Sequence, residues 1–167
     1  RSVDLTGNQV VANCDLGGQP DSVALSPMGD MIAVAIENER DEEVNDGALP
    51  QGPAGFVAVF PVADGVLDCA GRTVIDLTGL AGIAGDDPEP EYLSYNAAGD
   101  LVVTLQENNH LVVIGADGRV AANFPAGTVD LDRIDIAKDG RLDFSGSLPA
   151  VPREPDAVAW LDNQHFV

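Results

Sequence analysis

Apolar residues recur along the chain at every second position, in short runs bounded by Gly, Asp, Asn and Pro. Alternation with a period of two is typical of β-strands that bury one face. Eight strands are predicted in two sets of four: 23–25, 31–36, 56–62 and 73–77, then 93–95, 101–105, 111–114 and 120–124. No stretch of ten residues carries an apolar stripe with helical spacing. The pattern therefore predicts an all-β chain.

The two sets of predicted strands are copies of one another. Residues 20–23 match 90–93, 28–30 match 98–100, and 37–38 match 107–108, all at a constant offset of 70. A third copy begins at 155–158, and residues 2–15 resemble 111–124, the third and fourth strands of a unit. Repeated units of four strands are the sequence signature of β-propeller blades.

The repeat predicts a partial β-propeller of four-stranded antiparallel blades, in a single domain spanning 1–167. Its predicted parts are the end of one blade (1–16), two complete blades (17–78 and 79–124), an inserted connection (125–154) and the start of another blade (155–167). Two complete blades cannot close a ring, and the cut strands would present unpaired edges. We therefore expect a fragment of a larger ring, whose first partner is the remainder of its own propeller chain.

Five strings of the sequence resemble a known family. They are GGQPDSVALSP (17–27), VAIENERDE (34–42), LPQGPAG (49–55), VVTLQENNH (102–110) and VPREPDAVAW (151–160). Together they are similar to the secreted bacterial β-propeller proteins labelled "esterase-like activity of phytase", which are related to choice-of-anchor and mesenchyme-specific cell-surface glycoprotein-like propellers. The resemblance implies an extracytoplasmic propeller with seven blades or a similar number. The family label implies phosphoester or ester hydrolysis.

The charge of the chain excludes several classes of partner. Eight Lys and Arg against 28 Asp and Glu give a net charge of −20 and a pI near 4.1. This charge repels phosphate backbones and anionic lipids, so we expect neither nucleic-acid binding nor docking on a membrane surface. No apolar run approaches the roughly 18 residues of a membrane span, so membrane insertion is not expected either. Because 45% of the residues are apolar, a packed core is expected rather than a disordered acidic tail. The acidic, lysine-poor composition suits a secreted or salt-exposed protein. Together with the resemblance, it leads us to expect a location in the periplasm or at the cell surface.

The two cysteines, Cys14 and Cys69, lack the spacing of a zinc site. They are either two buried thiols or one disulfide that closes a loop of about 55 residues. A disulfide would join the outer strands of neighbouring blades and requires an oxidising compartment. A Cα separation beyond about 7 Å would exclude it.

Acidic residues recur at equivalent positions of the repeat. Asp21, Glu91 and Asp156 stand at the starts of first strands, and Glu37 and Glu107 at the ends of second strands. In a propeller these positions converge on one face, around the mouth of the central channel. Such a ring of oxygens suits Ca²⁺, which takes six to eight oxygen ligands. The alternatives are that these acids cap turns, or that the Glu-Asn pairs clamp the backbone. Further ligands are available in the adjacent loop: Glu39, Asp41, Glu42, Glu43, Asn45 and Asp46.

No catalytic residues are identified from the sequence. A Gly-x-Ser-x-Gly elbow is absent, and no serine has a paired His and Asp nearby. His110, in a predicted turn near the acidic face, either orients a substrate or is an exposed turn residue. His165 is predicted in a hairpin on the opposite face. Arg40 and Arg153 either clamp a phosphate or neutralise their acidic neighbours.

Three classes of function are compatible with these observations. The first is a metal-dependent phosphoester or ester hydrolase, in which Ca²⁺ offsets the charge of an anionic substrate. The second is a propeller that binds a protein or glycan partner, and the third is a structural secreted component stiffened by Ca²⁺. We expect a secreted or cell-surface module with a cation-binding face that serves binding or structural roles. The alternative is a phytase-like hydrolase in the full-length parent chain.

Overall fold

The computed structural model describes residues 1–41, 43–48 and 50–167. The chain is all-β, with 44% strand and 4% helix, which confirms the predicted all-β class. The strands are β1 (Ser2–Asp4), β2 (Gln9–Ala12), β3 (Gln19–Leu25), β4 (Met31–Glu37), β5 (Phe56–Ala63), β6 (Val66–Leu67), β7 (Thr73–Asp76), β8 (Pro90–Tyr95), β9 (Leu101–Leu105), β10 (His110–Ile114), β11 (Val120–Pro125), β12 (Thr128–Ile134) and β13 (Gly146–Pro152). Single 3-10 turns occur at Asn45–Gly47 and Cys69–Gly71. Within the described ranges, no helix is long and apolar enough to cross a membrane.

The first large sheet contains the strands of residues 19–76. Its order is β3-β4-β5, all antiparallel, and β5 pairs further with β7 along Phe56–Val59 and with the short β6 at Val62 and Ala63. The central strand β4 reads Met-Ile-Ala-Val-Ala-Ile-Glu and is buried along its last five residues. A continuous apolar run of this length is typical of a strand covered on both faces.

The second large sheet is a simple antiparallel meander, β8-β9-β10-β11. Its strand β9, Leu-Val-Val-Thr-Leu, is buried at every position, as expected for an inner strand covered on both faces. Every strand predicted from the alternating pattern coincides or overlaps with an observed one in these two sheets. Neither sheet closes on itself.

The two large sheets pack face to face through one apolar core. The first sheet contributes Ala33, Ala35, Val57 and Val59, and the second contributes Leu93, Leu101, Val103, Leu105, Val112 and Ile114. Strand β8 lies against both β3 and β4, so the sheets meet along their first strands. The ends of these strands are thereby brought together at one edge of the interface.

The opposite face of the first sheet packs against the N-terminal segment. Cys14 and Leu16 contact a second apolar cluster that includes Ile36 and Phe60. The β1–β2 hairpin is joined to β6, since the Leu67 amide donates to the Ser2 hydroxyl at 3.2 Å. Cys14 and Cys69 form a disulfide with a Cα separation of 5.1 Å, which decides between the two alternatives for these cysteines.

Two strand pairs were not predicted, the short β6 against β5 and β12 against β13. Strands β12 and β13 form an antiparallel hairpin inside the segment 125–154, which the sequence analysis assigned only to an inserted connection. Val129 and Leu131 do alternate with aspartates, but they have no counterpart in the repeat, and the repeat guided the strand prediction. The hairpin is largely exposed and contributes no residue to the core between the two sheets.

The C-terminal segment is attached to the second sheet by its aromatic residues. Trp160 donates from its indole nitrogen to the Ser94 carbonyl at 2.9 Å. Phe166 meets Trp160 edge to face at a centroid distance of 5.1 Å and stacks on Phe124 at 6.2 Å. These contacts place residues 159–167 beside β8 and β11, with Trp160 and Phe166 forming an antiparallel bridge.

Candidate cation site

Three carboxylates converge where the two large sheets meet. Asp21 lies on β3, Glu37 ends β4, and Glu91 lies on β8, and one oxygen of each is within 4.8 Å of the others. Glu37 lies two residues beyond Ala35 on the same face of β4, because side chains alternate along a strand. Its carboxylate therefore continues the buried face of the first sheet to the rim of the core.

Asp21 and Glu91 each lie at a shift in the register between two paired strands. The register of β3 against β4 shifts between Pro20 and Val23, and that of β8 against β9 shifts between Pro90 and Leu93. Both shifts lie at the acid that follows the repeated proline. A local break in the ladder of this kind turns side chains away from regular alternation and is frequent beside functional sites. The repeat thus reproduces the backbone geometry as well as the acid.

The three acids line a pocket of about 310 Å³. Its wall consists of Gln19, Asp21, Glu37, Glu39, Arg40, Glu89, Glu91, Gln106 and Glu107. Six of these nine side chains are carboxylates, and Arg40 is the one basic group among the described lining residues. An Arg40 guanidinium nitrogen contacts Glu107 Oε2 at 2.9 Å, and Gln19 donates to Glu39 at 2.8 Å.

Not all of the five predicted acids reach the same point. Glu107 lines the pocket but is paired with Arg40. Asp156 is not part of the wall, yet its negative charge raises the pKa of Asp21 and of Glu91. Of the loop acids, Glu39 is in the wall, Glu42 lies outside the described residues, and the other candidates are exposed and do not line the pocket.

Glu89 is an acid of the pocket that was not predicted from the sequence. This side chain is only 1% exposed, and its Oε1 atom has no hydrogen-bond partner among the described residues. A signal was available, because extending the repeat by one residue aligns Gln19, Glu89 and Glu154, each directly before a repeated proline. An ionised carboxylate buried without a partner is costly, so Glu89 requires either a proton or a cation.

Asn108 holds the segment that carries Glu89. Its Nδ2 donates to the carbonyls of Ile83 and Ala84 at 3.1 Å and to that of Asp87 at 3.0 Å. Its Oδ1 accepts from the Glu89 amide at 2.8 Å. Within the Glu-Asn pairs, it is therefore the asparagine that clamps the backbone. Its repeat counterpart, Asn38, makes one such bond within the described part of the chain, to the Gln51 carbonyl at 2.8 Å.

Several carboxyl groups of the pocket have raised pKa values. Burial, and after it the neighbouring carboxylates, raise the pKa of Glu37, Glu89 and Glu91 to about 7 each. Glu37 and Glu91 titrate as a pair: the charge of Glu37 raises the pKa of Glu91, whereas a side-chain hydrogen bond with Glu91 lowers the pKa of Glu37. Burial also raises the pKa of Asp21, with Asp156 and Glu39 as the next causes. At neutral pH, either bound protons or a bound cation offsets the repulsion among these carboxylates and the cost of burying their charge.

Without divalent cations, we expect the fold to lose stability as the pH rises from about 4.5 to above 7. Glu37, Glu89 and Glu91 have an ordinary pKa of 4.5 and a pKa of about 7 in the folded chain. The stability contributed by an acid whose pKa is raised on folding is present below the unfolded pKa and is lost as the pH passes the folded one. Thermal melts in EDTA at about pH 5 and about pH 8 should differ by several degrees, with the higher melting temperature at about pH 5.

The control for this pH effect is a pair of variants. Glu89→Gln should reduce the difference in melting temperature between the two pH values. Glu43 is exposed and lies outside the pocket, so Glu43→Gln should leave that difference unchanged. A melting temperature in EDTA that is higher at about pH 8 than at about pH 5 would contradict the expectation.

Among the described residues, the remaining polar candidates do not belong to the group of three converging acids. His110 is not an exposed turn residue, since it begins β10, is only 4% exposed and has Nε2 3.1 Å from Asn123 Oδ1. His165 lies in an exposed hairpin beside Asp162. Arg153 is exposed and does not line the pocket. Arg40 neutralises an acidic neighbour, which was one of its two predicted roles.

No protein-family model matches the chain, and no curated protein matches it either. The resemblance to the phytase-labelled propellers therefore rests on the five strings of the sequence alone.

Proposed function

We propose that this chain is part of a secreted or cell-surface β-propeller whose acidic pocket binds Ca²⁺. The observation that carries the proposal is the convergence of Asp21, Glu37 and Glu91 from three strands of two sheets. An ion held by these three carboxylates would bridge the two sheets. Its role would be to stiffen their junction and to shape the face that a protein or glycan partner contacts.

The proposed architecture has support from the arrangement of the two large sheets. Each contains four principal antiparallel strands that pair in chain order, and the first two strands of each sheet are related by the offset of 70 residues. The sheets pack face to face, as successive blades do. Val23 and Leu25 on the first strand of the first sheet are exposed, which suits contact with further blades of the same ring.

Ca²⁺ is the cation that suits the donors best. The lining residues of the described chain offer carboxylate and amide oxygens and include neither His nor Cys. Oxygen-only ligand sets favour hard cations over zinc or copper, and Ca²⁺ accepts the irregular geometry that side chains from several strands provide. The buried Glu89, without a partner on Oε1, fits a site completed by a cation.

An extracytoplasmic location is part of the proposal. The Cys14–Cys69 disulfide is compatible with it, because such bonds persist in oxidising compartments. The charge of −20 and the acidic pocket disfavour nucleic acid and anionic lipid as partners. We therefore place the module in the periplasm or at the cell surface.

A phytase-like hydrolase in the longer parent protein is the second candidate. It is favoured by Arg40, which lies in the wall of the same pocket as the three acids, where a guanidinium beside a metal ion would suit a phosphoester. Against it, Arg40 is already paired with Glu107 at 2.9 Å. No catalytic residue is assigned, so binding or structure is the preferred role.

Thermal melting of the full-length protein tests the cation site. At a free Ca²⁺ concentration of about 100 Kd, binding to the folded state alone adds roughly 2.7 kcal/mol. The melting temperature should then rise by about 5–10 °C relative to EDTA. Glu37→Gln should remove most of this rise because a neutral amide replaces a charged ligand, and Glu43→Gln should not. Coincident melts in EDTA and in millimolar Ca²⁺ would refute the proposal.

A further inference from the structure

A second cavity lies between the two large sheets, at the end of their interface opposite the acidic pocket. Its volume is about 360 Å³, a size typical of small-molecule sites. Residues from three turns line it: 26–30 between β3 and β4, 96–100 between β8 and β9, and 115–119 between β10 and β11. The three converging acids lie toward the other ends of β3, β4 and β8. We call this space the turn-side cavity.

Small residues in the turns of the second sheet leave this space open. From those turns, the lining consists of alanines, glycines and Asp117. The offset of 70 residues places Ala98 where the first sheet has Met28. Side chains fill a protein interior closely, so short side chains at a junction between two sheets leave a cavity unless longer ones cover it. The turn-side cavity therefore follows from the residues of the turns.

Apolar side chains form the floor of the turn-side cavity. Met31, Ile75 and Tyr95 line it and pack against the apolar core between the sheets. Met28, the other methionine of the sequence, also lines the cavity and is 82% exposed, which places it at the mouth. A flexible thioether adapts to the shape of a ligand and makes favourable contacts with aromatic rings. This lining therefore suits an aromatic ring.

The charged groups of the turn-side cavity are acidic. Asp30 and Asp117 both line it, and no Lys, Arg or His is among its described lining residues. The Ser26 hydroxyl donates to Asp30 Oδ1 at 2.7 Å, which holds this carboxylate at the wall. Burial, and after it the charge of Asp30, raise the pKa of the Tyr95 hydroxyl, which therefore stays protonated at neutral pH. A ligand that enters meets negative charge beside an apolar surface.

We propose that the turn-side cavity binds a small aromatic amine, whose ring lies against the two methionines and Tyr95 and whose ammonium group pairs with Asp30. Charge complementarity favours an amine over an aromatic acid, because two carboxylates line the cavity and its described lining includes no basic residue. The thioethers and the Tyr95 ring favour an aromatic ligand over an aliphatic one. The site is separate from the acidic pocket, and its binding of an amine does not depend on calcium.

Calorimetric titration of the full-length protein with phenethylamine tests this inference, at physiological ionic strength to screen attraction to the acidic surface at large. Hydrocinnamate carries a phenyl ring and the opposite charge, and hexylamine carries the charge without a ring. We expect phenethylamine to bind about tenfold more tightly than either. Asp30→Asn should weaken phenethylamine about tenfold, since the amide still accepts from Ser26 but carries no charge. Asp64→Asn, in an exposed residue outside the cavity, should not weaken it.

Two further measurements locate the bound amine. Ala98→Trp puts a large side chain at an exposed lining position and should lower the affinity for phenethylamine by about tenfold or more. In protein labelled with ¹³C at the methionine methyl groups, ring currents of the bound phenyl group should shift the signals of Met28 and Met31. Met28→Leu and Met31→Leu assign those signals. Millimolar CaCl₂ should not displace the amine, because the acidic pocket lies at the other end of the interface.

Several results would overturn the amine site. They are no binding of phenethylamine to the folded wild type, equal binding of hydrocinnamate or hexylamine, displacement by Ca²⁺, and undiminished binding to Asp30→Asn or Ala98→Trp. Far-ultraviolet circular dichroism checks the fold of each variant. The comparison of the three probes uses the wild type alone, so it decides the matter even where a variant is unstable. Loss or retention of calcium binding in the acidic pocket leaves this test unaffected.

Discussion

Replacing Cys14 and Cys69 together by alanine is expected to lower the free energy of unfolding by about 4 kcal/mol. The disulfide spans 55 residues of sequence, and closing a loop of that length restricts the unfolded chain more than the folded one. For a chain of this size the loss corresponds to roughly 8–16 °C in melting temperature. Thermal and denaturant melts of the oxidised wild type and the double variant measure it.

Two comparisons make the disulfide result specific. Dithiothreitol should lower the melting temperature of the wild type and leave that of the double variant unchanged. Ser2→Ala removes the hydroxyl that accepts from the Leu67 amide, which is another link between the N-terminal hairpin and β6, and should cost about 1 kcal/mol or less. Equal melting temperatures for the oxidised wild type and the double variant would show that the bond does not stabilise the fold.

Asn108→Ala is expected to destabilise the protein by about 2–4 kcal/mol and to weaken Ca²⁺ binding. The substitution leaves the carbonyls of Ile83, Ala84 and Asp87 and the amide of Glu89 without their described side-chain partner. Groups buried without partners carry the full cost of their desolvation. Because the freed segment carries Glu89 and leads into β8, the acids of the pocket should lose their alignment. Chemical denaturation and calcium titration measure the two effects.

Asn38→Ala is the matched control for Asn108→Ala. It changes the repeat-equivalent residue, which makes one described hydrogen bond, to the Gln51 carbonyl. We expect a loss of about 1 kcal/mol and a smaller change in calcium affinity. Losses of the same size from both variants would show that Asn108 has no special role in holding Glu89.

The strands of the two large sheets were predictable because their pattern is local. Met31–Glu37 and Leu101–Leu105 are continuous apolar runs between turn residues, and such runs form strands wherever they can be buried. The candidate acids were predictable for a related reason. A residue that recurs at one position of a repeat occupies the same place in each copy, so the positions of Asp21 and Glu91 on equivalent first strands followed from the offset alone.

Other features of the site depend on contacts between segments far apart in sequence. Nothing in the pattern around Arg40 or Glu107 predicts that they pair, since 66 residues separate them and their contact depends on how the sheets pack. His110 reads as a turn residue from its polar neighbours, yet the strand that follows draws it into the interior. Glu89 reads as an ordinary acidic loop residue, and only the surrounding segments bury it.

By itself, the sequence determined the all-β class, the strands of two repeated sheets, the acidity of one end of those strands and the presence of two cysteines. Alternation, turn residues and repetition are properties of neighbouring residues, and the physics that links them to strands is local. The tertiary structure decided which acids meet, which one is paired with Arg40, how deeply Glu89 is buried and that Cys14 bonds to Cys69. Those features depend on how two sheets and their loops pack, because the distance between two side chains remote in sequence is determined by the whole core between them.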